Sequence, residues 1–402
     1  MRATGLTARP CPVCGSSKAD LLYRQRFASF AKGSLGDGYD VVACGDCGMC
    51  FASGLPDEQR LSQYYADSSK YDLGAEGASL STRDLQRHAS QAAFIAAHLL
   101  DRDIRVLDVG TATGDFLVAL RDLGFERLYG VDPSPEAVRF AHDELSLDVA
   151  VGGLDDVDRW GKFDLISYVM VLEHLLDPRQ HLRAVARRLR PDGHVFISVP
   201  DAGAFKDHVD APYQEFSVEH INFFTKRSLA NAMAAEGYAL VAERSVLVPL
   251  GADGEASALE AIYRFDGVVR SAQRDDFGAA DIAEYIARCE RSEAAVRDQI
   301  ASLAVSGESI YVWGTGTHTL HLMETSRLAD CRIEAFLDSN PHYAGATLGG
   351  RPVMSPADLP MPNSPILVSS AVSQAAIASA ARERFGDDVQ LILLYRGGNG
   401  PD

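Results

Sequence analysis

The stretch from Val106 to Gly114, Val-Leu-Asp-Val-Gly-Thr-Ala-Thr-Gly, most constrains the fold of this 402-residue chain. Residues 104–109 form an apolar run of strand length, and residues 115–123 place apolar side chains at helical spacing. Between them, Gly110 and Gly114 let the backbone turn tightly and approach a ligand without a Cβ in the way. The sequence therefore predicts a buried strand, a glycine-rich turn and a helix, which together begin a nucleotide-cofactor site.

A second apolar segment, residues 128–132, ends in the carboxylate of Asp132. A carboxylate at this place after a glycine-rich turn accepts hydrogen bonds from the hydroxyls of a ribose. These features leave two cofactors open, a dinucleotide and S-adenosylmethionine. A dinucleotide fingerprint has a middle glycine where this chain has Ala112, and its third glycine comes one residue later than Gly114. The turn therefore favours S-adenosylmethionine.

The length and charge of the chain bound the kind of protein it forms. At 402 residues it is too long for one ordinary core, so we expect two or three domains. Its net charge of −18 argues against a nucleic-acid partner, because phosphate neutralisation needs clustered Lys and Arg. No apolar run approaches the roughly 20 residues that span a bilayer, and no signal-peptide core precedes the first cysteines. We expect an enzyme of the cytoplasm with no membrane partner.

Two C-x-x-C pairs near the N-terminus predict a metal site. Their cysteines are Cys11, Cys14, Cys44 and Cys47. Each pair forms a tight turn that places two sulfurs along one edge of a tetrahedron, and four thiolates close the coordination shell, so the predicted ion is a structural Zn²⁺. Two disulfides or unrelated buried thiols are the alternatives, and Cys50 could replace Cys47 in an irregular knuckle.

Hydrophobic periodicity divides the chain into four predicted parts. We expect an α/β protein with a mostly parallel central sheet, because strands and helices alternate from about residue 104 to residue 248. The parts are an N-terminal zinc-binding domain at 1–75, a central cofactor domain at 80–250, a helical linker at 255–305 and a C-terminal Rossmann-like domain at 306–402. Tyr64, Tyr65 and Tyr71 lie in a polar segment, where they either contact a substrate or pack the small domain onto its neighbour.

The C-terminal part repeats the strand and glycine-turn pattern of the central part. Further apolar strands follow this turn at 333–338 and 365–370. Backbone N–H groups in such a turn bind a phosphate, which makes its residues candidate substrate ligands. These residues are Gly314, Gly316, Thr317 and His318. A lone Gly-x-Gly is a weak signal, so a purely structural copy of the fold and a nicotinamide dinucleotide site both stay open.

Four segments in order resemble the motifs of class I methyltransferases. They are residues 108–114, 131–134, 163–174 and 189–195. The resemblance implies that Asp108 receives the ammonium of the methionine part, and that Asp132 and Pro133 lie at the ribose. The other implied cofactor ligands are Gly110, Thr111, Ala112 and Gly114 for the methionine part, and Leu154 and Asp155 for the adenine, with Asp156 and Asp158 as alternatives to Asp155.

Methyl transfer needs a base that exposes the nucleophile, and histidine suits this task near neutral pH. Two Glu-His pairs are candidates, Glu173-His174 after the fourth predicted strand and Glu219-His220 after a polar loop. We expect the second pair to be catalytic, because a substrate could enter through that loop. His174 either takes part or fixes a loop by hydrogen bonding. The expected polar neighbours of the substrate are Tyr213 and Asn222.

The whole arrangement resembles the three-domain sugar C-methyltransferases, which act on nucleotide-linked deoxy-keto-sugars. The resemblance covers nearly the full length. It implies that His220 removes the proton next to the ketone with Glu219 beside it, while the sugar nucleotide lies between the central and C-terminal domains. Two positions depart from that family, since Ser217 replaces a tyrosine and Thr317-His318 replaces a lysine. O- or N-methylation of a sugar or another small metabolite, and a non-catalytic adaptor, are the alternatives, in a monomer or a homodimer.

Overall fold

A computed structural model of the chain describes residues 9–29, 36–56, 60–61, 64, 82–209, 211–250, 254–340, 343 and 345–395. These residues form three β-sheets of four, seven and six strands. Within the described ranges, no helix is both long and apolar enough to cross a membrane. The predicted substrate residues Tyr65 and Tyr71 lie outside the described ranges.

The first sheet joins the cysteine-rich segment to a distant part of the chain. Its strands are β1 (Ala19–Arg26), β2 (Gly38–Cys44), β3 (Cys50–Ser53) and β9 (Asn222–Phe223), in the order β1-β2-β3-β9. All neighbouring pairs are antiparallel. β9 begins two residues after His220. The first sheet therefore joins the predicted zinc domain to the segment that carries the predicted catalytic pair.

The second sheet carries the predicted cofactor motif. Its strands are β4 (Arg105–Val109), β5 (Arg127–Asp132), β6 (Asp148–Val151), β7 (Phe163–Val169), β8 (Leu189–Pro200), β10 (Tyr238–Leu250) and β11 (Gly254–Phe265), in the order β10-β11-β8-β7-β4-β5-β6. Five strands are parallel, β11 is antiparallel to its neighbours β8 and β10, and β10 therefore runs in the same direction as the five. The chain runs from β4 outward through β5 and β6 and then crosses to β7. Ligands bind such sheets at this crossing point, outside the carboxyl ends of the strands.

Helices flank this sheet, and capping side chains fix where two of them begin. They are α1 (Thr82–His98), α2 (Asp115–Asp122), α3 (Pro135–Asp143), α4 (Pro178–Arg188) and α5 (Lys226–Ala235). Ser134 caps α3, because its Oγ accepts from Ala137 N at 3.3 Å. Asp177 caps α4 by accepting from Gln180 N at 2.9 Å. α2 begins right after Gly114, so α2 and α3 point their N-termini at the cofactor edge of the sheet.

The predicted helical linker at 255–305 is wrong in its first part. Residues 254–265 are β11, which lies between β8 and β10 in the second sheet. Alanines and glutamates in this segment hide its strand character. The buried Glu260 is compensated by Arg244 on β10, whose Nε lies 2.7 Å from Glu260 Oε2. The remaining part is the long helix α6 (Gly278–Ser306).

The third sheet has the expected Rossmann-like order. Its strands are β12 (Ser309–Trp313), β13 (Arg332–Leu337), β14 (Thr347–Leu348), β15 (Arg351–Met354), β16 (Ile366–Val368) and β17 (Leu391–Leu393), with helices α7 (Thr317–Thr325) and α8 (Gln374–Phe385). The order is β14-β15-β13-β12-β16-β17, and all but the β14–β15 pair is parallel. The predicted α/β fold class is confirmed.

One hydrophobic core joins the first sheet, α6 and the third sheet. It contains Tyr39 on β2, Tyr285 on α6 and Phe336 on β13. Tyr213 and Phe216, from the loop between β8 and β9, belong to the same core. This loop, which leads to Glu219-His220, is therefore held by apolar packing against both smaller sheets.

Candidate functional site

The glycine turn after β4 has the backbone shape of a ligand-binding loop. Gly110, Ala112 and Gly114 have φ values of 78°, 47° and 84°. A Cβ on Gly110 would lie 2.5 Å from Val171 Cγ2, and one on Gly114 would lie 2.4 Å from Leu147 Cδ1. Only glycine fits those two positions, whereas Ala112 holds a left-handed conformation that glycine would adopt without strain.

Asp132 braces this turn from the neighbouring strand β5. Its Oδ2 accepts from Ala112 N at 2.8 Å and its Oδ1 accepts from Ser134 N at 2.9 Å. Burial raises the pKa of this carboxyl, while the two backbone donors oppose that rise. The predicted ribose ligand therefore lies at the carboxyl end of β5, beside the turn, with Pro133 exposed next to it.

Asp108 is a buried carboxyl at the end of β4, with 2% of its surface exposed. Ser167 Oγ on β7 donates to Asp108 Oδ1 at 2.7 Å. Burial raises the pKa of Asp108 to about 7, although the Ser167 hydrogen bond opposes this rise. A buried carboxylate at the crossing point of the sheet suits a cationic ligand group, such as the ammonium of a bound amino acid.

The residues expected at the adenine follow β6. Leu154 is buried and begins a short 3₁₀ turn, whereas the side chain of Asp155 is 93% exposed. Asp156 supports the turn by accepting from Gly153 N at 2.8 Å. A direct adenine contact by Leu154 and Asp155 stays a prediction.

The two Glu-His pairs, far apart in the sequence, meet in space. The rings of His174 and His220 lie edge to face, with 5.1 Å between their centroids. Glu173 is 1% exposed, and its Oε1 lies 3.8 Å from His174 Nε2. His174 Nδ1 lies 3.0 Å from the carbonyl oxygen of Glu219, so hydrogen bonding orients the ring. One ligating atom each from Glu173, His174 and His220 lies within 4.8 Å of the others, a spacing that a divalent cation could also use.

Hydrogen bonds hold the Glu219-His220 segment in place. Ser217 Oγ accepts from Glu219 N at 3.3 Å and from His220 N at 3.1 Å. The hydroxyl of Tyr64 donates to Glu219 Oε1 at 3.0 Å, which places Tyr64 at this pair. Ser217, which stands where the resembled family has a tyrosine, therefore acts as a turn residue that shapes the backbone of the pair.

The pairs also lie beside the cofactor turn. Val171, three residues before His174, is the side chain that closely approaches Gly110. Residues 172–174 form a 3₁₀ turn after β7, the strand that hydrogen-bonds to β4. The titratable side chains are thus brought to the carboxyl edge of the sheet, next to the predicted methionine site.

Two predicted substrate contacts have other partners. The Tyr213 ring is buried, stacks on Tyr23 at 4.9 Å and lies 4.7 Å from the ring of His321. Asn222 is buried, and its Nδ2 donates to the carbonyls of Leu172 and Leu175 at 3.0 and 2.8 Å. Its Oδ1 accepts from an arginine. The side chains of Tyr213 and Asn222 therefore pack and bond within the protein, and a substrate contact by either of them stays a prediction.

The four predicted zinc ligands form one cluster. Cys11 Sγ lies 3.6 Å from Cys47 Sγ, and Cys14 Sγ lies 3.5 Å from Cys44 Sγ. A tetrahedral zinc with Zn–S bonds of about 2.3 Å has S···S edges of about 3.8 Å, so the cluster is compatible with zinc. The cysteines are free, which argues against the disulfide alternative, and Cys50 lies on β3 outside the four-sulfur group.

The C-terminal glycine turn lines a cleft of about 490 Å³ together with Ser370 and Ser373. Asp338 on the chain after β13 accepts from Thr315 N at 3.0 Å, as Asp132 does for the first turn. His318 is buried at the cleft, and its Nε2 contacts the Tyr395 hydroxyl. Burial lowers the pKa of His318 to about 4, so this ring is neutral at pH 7. Gly314, Gly316 and Thr317 stay candidate ligands.

Two important residues of the site were missed from the sequence. Ser167 is the hydroxyl donor to Asp108, and its signal is a small polar residue within the otherwise apolar end of β7. Arg9 reaches from the cysteine segment to the backbone that follows both Glu-His pairs. No sequence pattern predicts the role of Arg9, because its bonds to the Leu176 and Ile221 carbonyls join segments that are more than 160 residues apart.

The part of the chain that matches known proteins contains the glycine turn after β4 and most of the second sheet. Residues 82–243 match the family described as Methyltransferase domain. The ubiquinone biosynthesis O-methyltransferases of Xanthomonas oryzae pv. oryzae and Xanthomonas campestris pv. campestris are each 32% identical over 112 residues, 26% of this chain. The chain spans about half the length of these curated relatives, 46% in each case.

Solved structures with similar parts include two methyltransferases. Magnesium protoporphyrin IX methyltransferase from Synechocystis, solved with bound S-adenosylmethionine, is 15% identical, with a TM-score of 0.39 and coverage of 51% of this chain and 97% of that one. The 1,6-didemethyltoxoflavin-N1-methyltransferase from Burkholderia thailandensis is 24% identical, with a TM-score of 0.35 and coverage of 46% and 79%. The family match and the strand order define residues 82–243 as a class I S-adenosylmethionine-dependent methyltransferase domain.

Proposed function

We propose that the protein is a methyltransferase that adds a methyl group to a carbon of a nucleotide-linked keto-deoxysugar, with His220 as the base. The observation that carries this proposal is the convergence of Glu173-His174 and Glu219-His220 beside the cofactor turn. General acid–base chemistry needs such titratable groups at the reacting atom, and the glycine turn supplies the place for the methyl donor.

The residues of the turn fit the proposed methyl donor. Asp108 holds a buried carboxyl that a ligand ammonium would neutralise, and Asp132 lies beside the turn at the end of β5, where folds of this type hold a ribose. When bound, S-adenosylmethionine supplies an electrophilic methyl group on a cationic sulfur. The sulfur becomes neutral as the methyl leaves, so the leaving group needs no proton from the protein. The protein then has to align the acceptor and remove one proton from it.

In the proposed reaction His220 takes the proton from the carbon next to the ketone. The electron pair of that C–H bond becomes an enolate, and the enolate carbon forms the new C–C bond as the methyl–sulfur bond breaks. The buried Glu173 stabilises the positive charge that the histidine cluster acquires. Glu219 orients this part of the site through its carbonyl contact with His174 and its hydrogen bond from Tyr64.

The remaining parts of the protein are proposed to hold the nucleotide and the metal. Backbone N–H groups of Gly316 and Thr317 offer donors to a phosphate in the C-terminal cleft, whereas Gly314 N donates to the carbonyl of Leu337 at 2.9 Å and shapes the turn. Four thiolates leave no open position for water, so zinc at the cysteine cluster would be structural.

The test is incubation of the purified full chain with labelled S-adenosylmethionine and a panel of nucleotide-linked 4-keto-6-deoxysugars. We expect label in the sugar at a carbon next to the ketone, located by NMR. His220→Ala should abolish transfer while calorimetry still detects cofactor binding, and the exposed His142→Ala is the matched control. Full turnover by His220→Ala would remove His220 as the base.

O-methylation of a hydroxyl is the second candidate. The spacing of Glu173, His174 and His220 suits a divalent cation that would acidify such a hydroxyl, and the curated relatives are O-methyltransferases. Label at oxygen, together with a second metal ion beyond the cysteine site and loss of turnover on chelation, would favour this candidate over C-methylation.

A further inference from the structure

We infer that Arg9 is a positioning residue that couples the four-cysteine site to both Glu-His pairs. This inference rests on the proposed function for its effect on turnover, but its structural part stands alone. Arg9 lies two residues before Cys11, so the same short segment carries a zinc ligand and the guanidinium group.

The Arg9 guanidinium binds four acceptors on three segments. Its Nε donates to the carbonyl of Ala52 on β3 at 2.9 Å. One terminal nitrogen donates to the carbonyl of Leu176, two residues after His174, at 2.9 Å. The other donates to the carbonyl of Ile221, directly after His220, at 2.6 Å, and to Asn222 Oδ1 at 2.7 Å. One side chain thus bonds to the backbone that follows each pair.

Asn222 also bonds to the segment around Glu173-His174, so Arg9 and Asn222 together form a bracket that joins the two pairs. Its Nδ2 donates to the carbonyls of Leu172 and Leu175, which enclose Glu173-His174. In addition, Ile221 N donates to the carbonyl of Glu173 at 3.0 Å. Arg9 and Asn222 therefore hold the segments 172–176 and 219–222 in one fixed arrangement, and with them the two histidine rings.

The cysteine site fixes the other end of Arg9. Cys11 N donates to the carbonyl of Ser16 and Gly15 N donates to the carbonyl of Cys11, which closes the first knuckle. The guanidinium lies over the ring of Phe51 on β3, 5.3 Å from its centroid. Four thiolates closed on zinc would hold Cys11 against β2 and the second knuckle, and so hold the chain that delivers Arg9. Release of the metal should loosen the Glu-His segments.

Arginine is the residue that this geometry requires. Its planar guanidinium presents five fixed donors, whereas a lysine ammonium is a compact point charge on a flexible stem. Four acceptors on three segments can all be reached by the planar guanidinium of arginine, but not by the single ammonium of lysine. Arg9→Lys should therefore behave like Arg9→Met rather than like the native protein.

The experiment compares Arg9→Met and Arg9→Lys with the control Arg26→Met in the full chain. Arg26 also bonds to backbone carbonyls, of Gln25 and Tyr39, but only within the first sheet. Metal analysis, hydrogen-exchange mass spectrometry and calorimetry with S-adenosylmethionine are measured for each variant. Zinc is then chelated from the native protein and from Arg9→Met, and exchange is measured again.

We expect both Arg9 variants to keep one zinc per chain and to exchange about tenfold or more faster in residues 172–176 and 219–223. Chelation should speed exchange there in the native protein and add little in Arg9→Met. With an active sugar substrate, kcat should fall about 100-fold while the KM for S-adenosylmethionine changes less than twofold. Added guanidinium should restore part of kcat to Arg9→Ala, which a general loss of folding would not allow.

Unchanged exchange in either segment of zinc-loaded Arg9→Met, or full protection in the chelated native protein, overturns the inference. If Arg9→Met does not fold, Asn222→Ala removes the other half of the bracket without altering the cysteine segment and should give the same exchange pattern. If no sugar is methylated, the exchange and chelation results still decide the role of Arg9, so failure of the proposed function is seen separately.

Discussion

Asp108→Asn tests the proposed cofactor site most directly. The native carboxyl is buried at the end of β4 and receives a hydrogen bond from Ser167 Oγ at 2.7 Å. Its pKa rises from 3.8 to about 7 because burial penalises the charged form. The substitution keeps the size of the side chain and an oxygen that can accept from Ser167, and it removes only the titrating charge.

The sign of the effect on stability follows from linkage. Between about pH 4 and pH 7 the folded protein keeps the Asp108 proton, whereas the unfolded chain has released it. The contribution of this group to the free energy of unfolding therefore falls as the pH rises, by about 1.4 kcal/mol per pH unit, and reaches about 4 kcal/mol above pH 7. Asp108→Asn should lack this loss, so at pH 8 and without cofactor it should be more stable than the native protein by up to about 4 kcal/mol.

The effect on cofactor binding has the opposite sign. In the proposed cofactor site the ionised carboxylate is the form that binds the ammonium of S-adenosylmethionine, so native affinity should rise with pH up to about 7 and then level off. Hydrogen bonds to charged groups contribute about 1.5–3 kcal/mol, so Asp108→Asn should bind the cofactor about 10- to 100-fold more weakly, with no rise across this range.

Denaturant unfolding between pH 4 and pH 8 and calorimetry over the same range measure both effects. Asp122→Asn, an exposed carboxyl at the end of α2, is the matched control and should change neither quantity. A native affinity that is constant from pH 5 to pH 8, combined with unchanged binding by Asp108→Asn, would refute the assignment of Asp108 to the ammonium.

Two further substitutions test the turn and the cysteine cluster. Ala112→Gly relieves a left-handed alanine at φ 47°, so we expect the free energy of unfolding to rise by up to about 1 kcal/mol. A calorimetric scan should show a Tm increase of about 2–4 °C, with cofactor binding retained. A lower Tm would show that the alanine methyl group stabilises the turn by more than the backbone strain destabilises it. Cys14→Ser removes one of four thiolates from the cluster, so metal analysis should find less than one zinc per chain, and the Tm should be lower than that of the native protein. The control Cys331→Ser, outside the cluster, should keep its zinc. Full zinc retention by Cys14→Ser would contradict the four-thiolate site.

Local sequence patterns predicted the elements that depend on neighbouring residues. The strand, glycine turn and helix around Gly110 to Gly114 are where the pattern places them, because strand hydrophobicity and the need for positive φ are properties of adjacent residues. The grouping of four cysteines follows from the two knuckles, each of which is a short turn.

Elements that depend on partners in space were predicted less well. The strand β11 lies between two strands of the central sheet, although its alanines and glutamates also suit a helix. Its buried Glu260 is tolerated because Arg244 lies opposite on β10. Packing and charge pairing across strands outweigh intrinsic propensity here, and neither is visible in a single segment.

The sequence alone determined the fold class, the methyl-donor turn and the four-cysteine site, since each is encoded within a few consecutive residues. Only the tertiary structure decided that Asp108 meets Ser167, that the two Glu-His pairs meet each other, and that Arg9 reaches both. The contacts of Ser167 and Arg9 are single polar interactions between segments 59, 167 and 212 residues apart, and the contact of His174 with the Glu219 carbonyl joins segments 45 residues apart. Their directional geometry exists only after apolar packing has brought the sheets together, so no periodic pattern records them.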